Sequence, residues 1–129
     1  MSFRFREWPV YKDARALRND IKKRVLPRIE KREQFTLGDQ LLRAVLSIVL
    51  NIAEGAYRKS DKDFARFLNQ ALTSLYEVVA CLDAALDDTF IVEKEHQEFL
   101  DRAEAIARQL SAFSGTLKPT GVVSKRVNS

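Results

Sequence analysis

The sequence predicts an all-α protein that folds as an antiparallel up-down four-helix bundle. Only three prolines and four glycines occur among 129 residues, so the chain has few turns and its elements must be long, as helices are. Apolar residues recur at spacings of three and four, the period of a helix with one buried face. Short connections between long helices place consecutive helices side by side in opposite directions. Residues 1–117 are the predicted bundle domain, and residues 118–129 are a predicted disordered basic tail.

Apolar spacing places the four helices at about residues 12–26, 37–58, 61–87 and 93–114. The first should end before Pro27, because the residue that precedes a proline resists the helical conformation. Thr36 and Ser60 each stand three positions before an aspartate, a pattern that caps the start of a helix. They should therefore begin the second and third helices. Gly115 is expected to cap the end of the fourth.

Charge is distributed unevenly along the chain, whose formal net charge is +4. Residues 1–35 contain 11 Lys or Arg against 5 Asp or Glu, a net charge of +6. Residues 61–117 contain 5 basic against 11 acidic residues, a net charge of −6. This polarity suits a basic surface that binds an anionic partner, or head-to-tail contact between copies of the chain.

The composition also indicates where the protein works. No stretch approaches the roughly 18 apolar residues of a membrane-spanning helix, and the N-terminus lacks the apolar run and cleavage site of a signal peptide. The one cysteine, Cys81, has no internal disulfide partner and is expected to be a reduced thiol within a helix. We therefore expect a cytoplasmic protein that contacts no membrane.

No catalytic or metal-binding pattern is present in the sequence. The single histidine, His96, lies in a polar run and is expected to be exposed to solvent. No second histidine or suitably placed cysteine completes a set of metal ligands. A glycine-rich phosphate loop and a nucleophile elbow are both missing. We expect a protein without catalytic residues, metal, cofactor or small-molecule substrate.

The second predicted helix is apolar around most of its circumference. A helix of this kind is either central to a large protein or buried on two sides, and 129 residues exclude the first case. One side should belong to the core of the bundle. The other is predicted to contact another subunit through Leu42, Leu46, Leu50 and Tyr57. A generously packed monomer core is the alternative.

A narrow polar stripe remains on the same helix, made of Gln40, Arg43, Ser47, Asn51, Glu54 and Arg58. Its spacings of three and four align these side chains, and Ser and Asn at its middle indicate partial burial, where polar groups need partners. Antiparallel pairing about a turn near Lys59 brings the stripe to the third helix. We predict two ion pairs, Arg43 with Glu77 and Glu54 with Arg66. The predicted structural polar network is Gln40, Arg43, Asn51, Glu54, Arg66 and Glu77.

Several motifs in this region are also found together in a known family. They are Leu-Gly-Asp-Gln at 37–40, Asn-Ile-Ala-Glu-Gly at 51–55, Arg-x-Ser at 58–60 and Ser-Leu-Tyr-Glu at 74–77, after Trp-Pro-Val-Tyr-Lys-Asp-Ala at 8–14. The chain resembles, over about residues 8–115, the four-helix bundle proteins encoded in intervening sequences of bacterial 23S ribosomal RNA genes. Asn-Ile-Ala-Glu-Gly at the end of an apolar helix is the most specific of these matches.

The resemblance implies an assembly and two types of partner. Members of this family form ring-like homopentamers, so the chain is expected to assemble as a ring-like homo-oligomer. The family is also distantly related to the accessory protein of diversity-generating retroelements, a basic pentamer that binds a reverse transcriptase and nucleic acid. These properties are what the resemblance implies and do not come from the composition.

Two functions remain open at this point. The first is a non-enzymatic nucleic-acid-binding or ribonucleoprotein scaffold that contacts RNA or DNA through Lys12, Arg15, Arg18, Lys22, Lys23, Arg24, Arg28, Lys31 and Arg32. Phosphate neutralisation grows with the number of cations engaged. Without interleaved aromatic residues, such binding should follow the backbone and be weakly sequence-specific. The second is a helical protein–protein interaction module, for example a reverse-transcriptase accessory protein, that binds no nucleic acid directly.

Overall fold

The computed structural model describes residues 2–117 and shows helices and no strands over that range. Its four α-helices are α1 (Pro9–Asp20), α2 (Asp39–Tyr57), α3 (Asp61–Asp87) and α4 (Glu93–Gly115). The prediction of an all-α protein with four helices is confirmed. The predicted basic tail, residues 118–129, lies outside the described residues.

The starts of α1 and α3 have clear local causes. α1 begins at Pro9 and not at Lys12 as predicted, because the fixed φ of proline suits the first turn of a helix and its missing N–H is not needed there. α3 begins as predicted after Ser60, whose hydroxyl accepts a hydrogen bond from the backbone N–H of Asp63 at 3.1 Å. This bond satisfies one of the free donors at the start of the helix.

The connection between α1 and α2 consists of short helical turns and corrects one predicted cap. α1 continues into a π-helical turn at Ile21–Val25, and a second π-helical turn at Gln34–Gly38 leads into α2. Thr36 lies inside the second turn, where its hydroxyl bonds to the backbone oxygen of Glu33 at 3.2 Å and to the Glu33 carboxylate at 2.7 Å. It therefore does not cap α2. Gly115 is likewise the last residue of α4 and not its cap.

The helices pair in a cyclic order, in which α1 contacts α2 and α4, and α3 contacts α2 and α4. The pair formed by α2 and α3 is the most extensive. Gln40 Nε2 donates to Glu77 at 2.9 Å, and the hydroxyls of Ser47 and Ser74 lie 2.8 Å apart. Residue numbers thus fall along α3 as they rise along α2.

An aromatic cluster closes one end of the bundle. The indole of Trp8 is buried, with 1% of the residue exposed, and its ring centroid lies 5.8 Å from that of Phe64 and 4.9 Å from that of Phe113. Phe64 and Phe113 meet edge to face at 5.0 Å, a favourable geometry for aromatic rings. Trp8 therefore anchors the N-terminal arm to α3 and α4.

α2 keeps an apolar side outside the core. The helical segment Lys31–Tyr57 is long and apolar enough to cross a membrane by length and composition, with a mean hydropathy of 1.3 in its most apolar window. The core helix of a bundle passes the same test, and Leu41, Ile48 and Ile52 are fully buried in the core. Only 39% of that window is buried, however. The fold of one chain therefore covers α2 on one side only.

The closest approach of α3 to α2 depends on Gly55. A Cβ at this position would lie 2.8 Å from a ring carbon of Phe64 and 3.0 Å from the Cβ of Phe67. We expect Gly55→Ala to lower the free energy of unfolding by about 1–3 kcal/mol, the usual cost of overpacking a core. Urea denaturation followed by circular dichroism measures the change.

Gly115→Ala is the matched control, because a Cβ there meets no atom within 4 Å. Alanine is the better helix former, so this variant should be as stable as the parent or slightly more stable. Equal stability of the two alanine variants would show that α2 and α3 do not need the small residue.

Candidate nucleic-acid interface and assembly surfaces

The outward side of α1 and the turn that follows it form an exposed basic face, made of Lys12, Arg15, Lys22 and Lys23. Lys12 forms an ion pair with Glu7 at 3.1 Å, but both side chains are more than half exposed, and such a pair contributes little. Arg15 lies over the ring of Tyr11 at 5.8 Å. Arg15, Lys22 and Lys23 make no ion pair within residues 2–117. These cations can therefore meet an anionic partner.

Arg24 and Arg28, two of the nine predicted nucleic-acid-binding residues, form short ion pairs with α4. Arg24 donates to both carboxylate oxygens of Glu98, at 2.6 and 3.0 Å, and Arg28 lies 2.7 and 2.6 Å from the two oxygens of Glu95. The Arg24–Glu98 pair is bidentate, with one guanidinium nitrogen on each oxygen, which makes it one of the stronger types of ion pair, whereas Nη1 of Arg28 alone contacts both oxygens of Glu95. Arg24 and Arg28 therefore connect the turns that follow α1 with α4, and the acidic residues that they meet belong to their own chain.

These ion pairs shift the titration of both carboxyl groups. The hydrogen bond from Arg28, and next the backbone N–H of Val92, lower the pKa of Glu95. The hydrogen bond from Arg24 lowers the pKa of Glu98 and raises the pKa of Arg24 itself. The charged forms are thus favoured in the folded protein.

The same contact between α1 and α4 continues along both helices. Arg102 donates to Asp20 and Gln109 donates to Asp13, each at 2.8 Å. Together with the pairs of Arg24 and Arg28 they form what we call the α1–α4 ladder. The ladder engages Glu95 and Glu98 of α4 and Asp13 and Asp20 of α1, so none of these four carboxylates is paired with a cation of the basic face in the described part of the molecule.

The other predicted basic residues differ in how accessible they are. Lys31 and Arg32 are exposed beyond the end of α1, and Arg32 pairs with the exposed Glu30 at 3.0 Å. Arg18 is half-buried and donates to Asn19 at 3.0 Å, while its Nε is buried without a hydrogen-bond acceptor. Lys31 and Arg32 can extend the basic face, whereas the half-buried Arg18 is less accessible to a partner.

The polar stripe of α2 divides into two parts, and only one of them joins α3. Gln40 binds Glu77 and Ser47 binds Ser74, as described above, while Asn51 donates to the backbone oxygen and the hydroxyl of Ser47, at 2.8 and 3.0 Å. These three side chains share the side of α2 that faces α3. They account for the partial burial that the sequence indicates.

The two predicted ion pairs are not formed within residues 2–117. Arg43 and Glu54 lie about 40–60° further round the helix than the residues that face α3, as 3.6 residues per turn requires, and both point into a surface groove. Arg66 instead pairs with Asp63 at 3.8 Å and stacks over the ring of Phe67 at 4.8 Å. Gln40 takes the place of Arg43 as the partner of Glu77.

The predicted subunit-contact residues of α2 differ in exposure. Leu46 is 37% exposed, Leu50 52% and Tyr57 72%, while Leu42 is half-buried against the core. Leu46 and Leu50 line a groove of about 380 Å³ together with Arg43, Ser47, Asn51 and Glu54. We call the exposed pair Leu46 and Leu50 the α2 ridge. The contact of these residues with another subunit stays a prediction.

His96 occupies a position that the sequence does not reveal. Its side chain is only 14% exposed and its Nε2 lies 2.7 Å from a carboxylate oxygen of Asp83, so the expectation of an exposed histidine is wrong. The contact joins α3 to α4.

Cys81 is buried in α3, and burial raises the pKa of its thiol. In the described part of the chain, no three His, Cys, Asp or Glu side chains come together as a metal site requires.

The fold and these surfaces define a small four-helix protein with a basic α1 face and an uncovered apolar α2 ridge. The family profile described as 23S rRNA-intervening sequence protein matches residues 6–112, and the chain therefore belongs to this family. No functionally curated protein matches the chain.

A solved structure with a similar fold comes from Bacteroides thetaiotaomicron. It is a protein of unknown function from the S23 ribosomal protein family, determined at 1.70 Å resolution. The two chains are 22% identical, the match covers 83% of this chain and 99% of that one, and the TM-score is 0.75. The likeness concerns the fold.

The α1–α4 ladder should make stability depend on pH. Because the pKa values of Glu95 and Glu98 are lowered by folding, their contribution is complete above the unfolded pKa and is lost as the pH falls through the folded value. We expect Glu95→Gln with Glu98→Gln to cost about 1 kcal/mol at pH 7, as partly exposed pairs do. The cost should shrink below about pH 5. Urea denaturation across a pH series measures it.

Glu104→Gln is the control, because Glu104 makes only a long, exposed contact of 3.9 Å with Arg108. A double variant whose stability deficit stays constant from pH 7 to pH 3 would contradict the role of the ladder.

Proposed function

We propose that this protein is a non-enzymatic scaffold in which antiparallel bundles assemble into a ring-like homo-oligomer, a pentamer, that binds nucleic acid through the basic face of α1. The observation that carries the proposal is that Arg15, Lys22 and Lys23 are exposed on one side of α1 with no ion pair in the described residues. The carboxylates of the α1–α4 ladder are paired with Arg24, Arg28, Arg102 and Gln109 and not with these three cations.

Assembly strengthens this reading of the basic face. A ring repeats Arg15, Lys22 and Lys23 once per subunit, and the electrostatic contribution to binding grows with the number of phosphates neutralised. The half-buried Tyr11 lies under Arg15, and Phe3 and Phe35 are exposed before and after these cations in sequence, so stacking on bases can add to the phosphate contacts. The binding supported here is to the phosphate backbone of RNA or DNA, with weak preference for sequence.

The proposal predicts binding that salt weakens steeply. We expect the logarithm of the association constant for a fluorescent single-stranded RNA to fall linearly with the logarithm of salt concentration. Lys22→Ala with Lys23→Ala should lower the affinity for all sequences alike and reduce the slope by about 0.7 for each lost phosphate contact. Fluorescence anisotropy from 50 to 300 mM KCl measures both effects, with a DNA strand of the same sequence beside it.

Lys62→Ala is the matched control, since Lys62 is an exposed lysine at the start of α3, on the helix diagonal to α1. Its affinity and slope should equal those of the parent. Affinity that does not change with salt, or that Lys62→Ala lowers as much as the double variant, would refute binding through α1.

The α2 ridge favours a second function. Leu46 and Leu50 are exposed apolar side chains, which suits contact with another protein, such as a reverse transcriptase that the chain accompanies. In that case the basic face serves docking and not nucleic-acid binding. Reversing the charge of Arg15, Arg18 and Lys22 to Glu separates the two functions. Loss of RNA binding with an intact oligomer supports the scaffold, and loss of the oligomer supports the interaction module.

The molar mass of the protein in solution tests whether it is a homo-oligomer. Light scattering coupled to size exclusion should give about five times the protomer mass of 14.8 kDa at micromolar concentration. A protomer mass at every concentration up to the millimolar range would refute the assembly.

A further inference from the structure

A second apolar surface lies between α3 and α4. One cavity of about 230 Å³ is lined by Leu75, Tyr76, Val79, Leu100 and Ala107 among others. A neighbouring cavity of about 390 Å³ includes Leu72 and Leu110 in its lining, one helical turn further along the same two helices. We call the two together the α3–α4 groove. Tyr76 stands at its rim and is 71% exposed.

The groove and the α2 ridge lie on different faces of the bundle. The groove is lined by α3 and α4 only, whereas the ridge and the cavity beside it belong to α2 only. Both surfaces present apolar side chains to solvent: Leu46 and Leu50 on the ridge, and the partly buried Leu72, Val79 and Leu100 in the groove. A contact between two different surfaces of identical chains is heterologous, and such contacts generate closed rings when the rotation closes.

Charged side chains border both surfaces. Arg43 and Glu54 border the α2 ridge, and neither makes an ion pair in the part of the chain that the structure describes. Glu104 borders the groove with a side chain that is 69% exposed, and it contacts only Arg108, at 3.9 Å. When Leu46 and Leu50 enter the groove, Arg43 can reach Glu104 of the neighbouring copy. The pair would fix the direction in which α2 lies along the groove.

We propose that subunits associate head to tail, with the α2 ridge of one copy seated in the α3–α4 groove of the next. This inference rests on the proposed homo-oligomer and names its two surfaces. The alternative symmetric contact, ridge against ridge, joins only two copies and leaves the groove uncovered.

A mixing experiment distinguishes the two arrangements. Leu50→Glu places a charge on the ridge and leaves the groove intact, while Tyr76→Glu does the reverse. Both sites are exposed in the protomer, so each variant should fold. Alone, each should sediment as a protomer. An equimolar mixture should form a 1:1 dimer and nothing larger. The intact ridge of Tyr76→Glu binds the intact groove of Leu50→Glu, and the groove and the ridge that remain free on this dimer are the mutated ones.

A charge exchange between positions 43 and 104 tests the same contact within one type of chain. Arg43→Glu should weaken assembly at least about tenfold, as the loss of a close interfacial charge pair does. Adding Glu104→Arg to the same chain should restore assembly, since every contact then has the exchanged pair. Val92→Glu is the matched control for Leu50→Glu. The exposed fraction of Val92, 55%, is similar to the 52% of Leu50, and Val92 belongs to neither surface. Circular dichroism confirms that each variant is helical.

The outcomes separate this inference from the proposed function. A parent protein that is a protomer at all concentrations removes both. A parent oligomer that Tyr76→Glu leaves intact overturns the head-to-tail contact and keeps the homo-oligomer. The same conclusion follows if the variant mixture yields no dimer and Glu104→Arg fails to rescue Arg43→Glu. Dimer formation in the mixture, or rescue by charge exchange, supports the head-to-tail contact.

Discussion

The packing of Phe64 holds the architecture together, because four parts of the chain meet on this side chain. It packs on Gly55 at the end of α2, on Trp8 before α1 and on Phe113 at the end of α4, and it lies one residue after Asp63, which is bonded to the Ser60 cap. The direction in which α3 leaves α2, and with it the α2–α3 polar network and the position of the groove, follows from this contact. A larger residue at position 55 would move all of them together.

Electrostatic contacts then determine which surfaces remain available. Ion pairs between α1 and α4 contribute modestly to stability where they are exposed. They also determine which cations are paired within the chain and which are available to a partner. Arg24 and Arg28, in the turns that follow α1, pair with Glu98 and Glu95 of α4, whereas Lys22 and Lys23, which directly precede Arg24, are exposed. The cations behind the net charge of +6 in residues 1–35 therefore include some that pair with α4 and others that are exposed to solvent.

The sequence predicts what local chemistry determines. The four helices and the Ser60 cap depend on spacing and neighbouring residues, and Gly55, in the Asn-Ile-Ala-Glu-Gly motif, lies where a Cβ would meet Phe64 and Phe67. The partners of Arg43, Arg66 and Arg24 could not be predicted in this way. A rotation of about 40–60° around a helix separates a residue that faces α3 from one that faces solvent, and sequence spacing does not resolve that angle against a neighbouring helix. His96 was misassigned for a related reason, since polar neighbours in sequence say nothing about a neighbour such as Asp83 on another helix.

The π-helical turn at Ile21–Val25 has a consequence for how the basic face is built. A π-turn accommodates one more residue than an α-turn, so it changes the angular phase of every residue that follows. In the present phase Arg24 lies over the ring of Phe99 at 4.8 Å and beside Glu98, while Lys22 and Lys23 face outward. Deleting a single residue here would rotate the following cations relative to α4. The length of this turn, and not only its composition, therefore decides which of its cations meet α4 and which meet solvent.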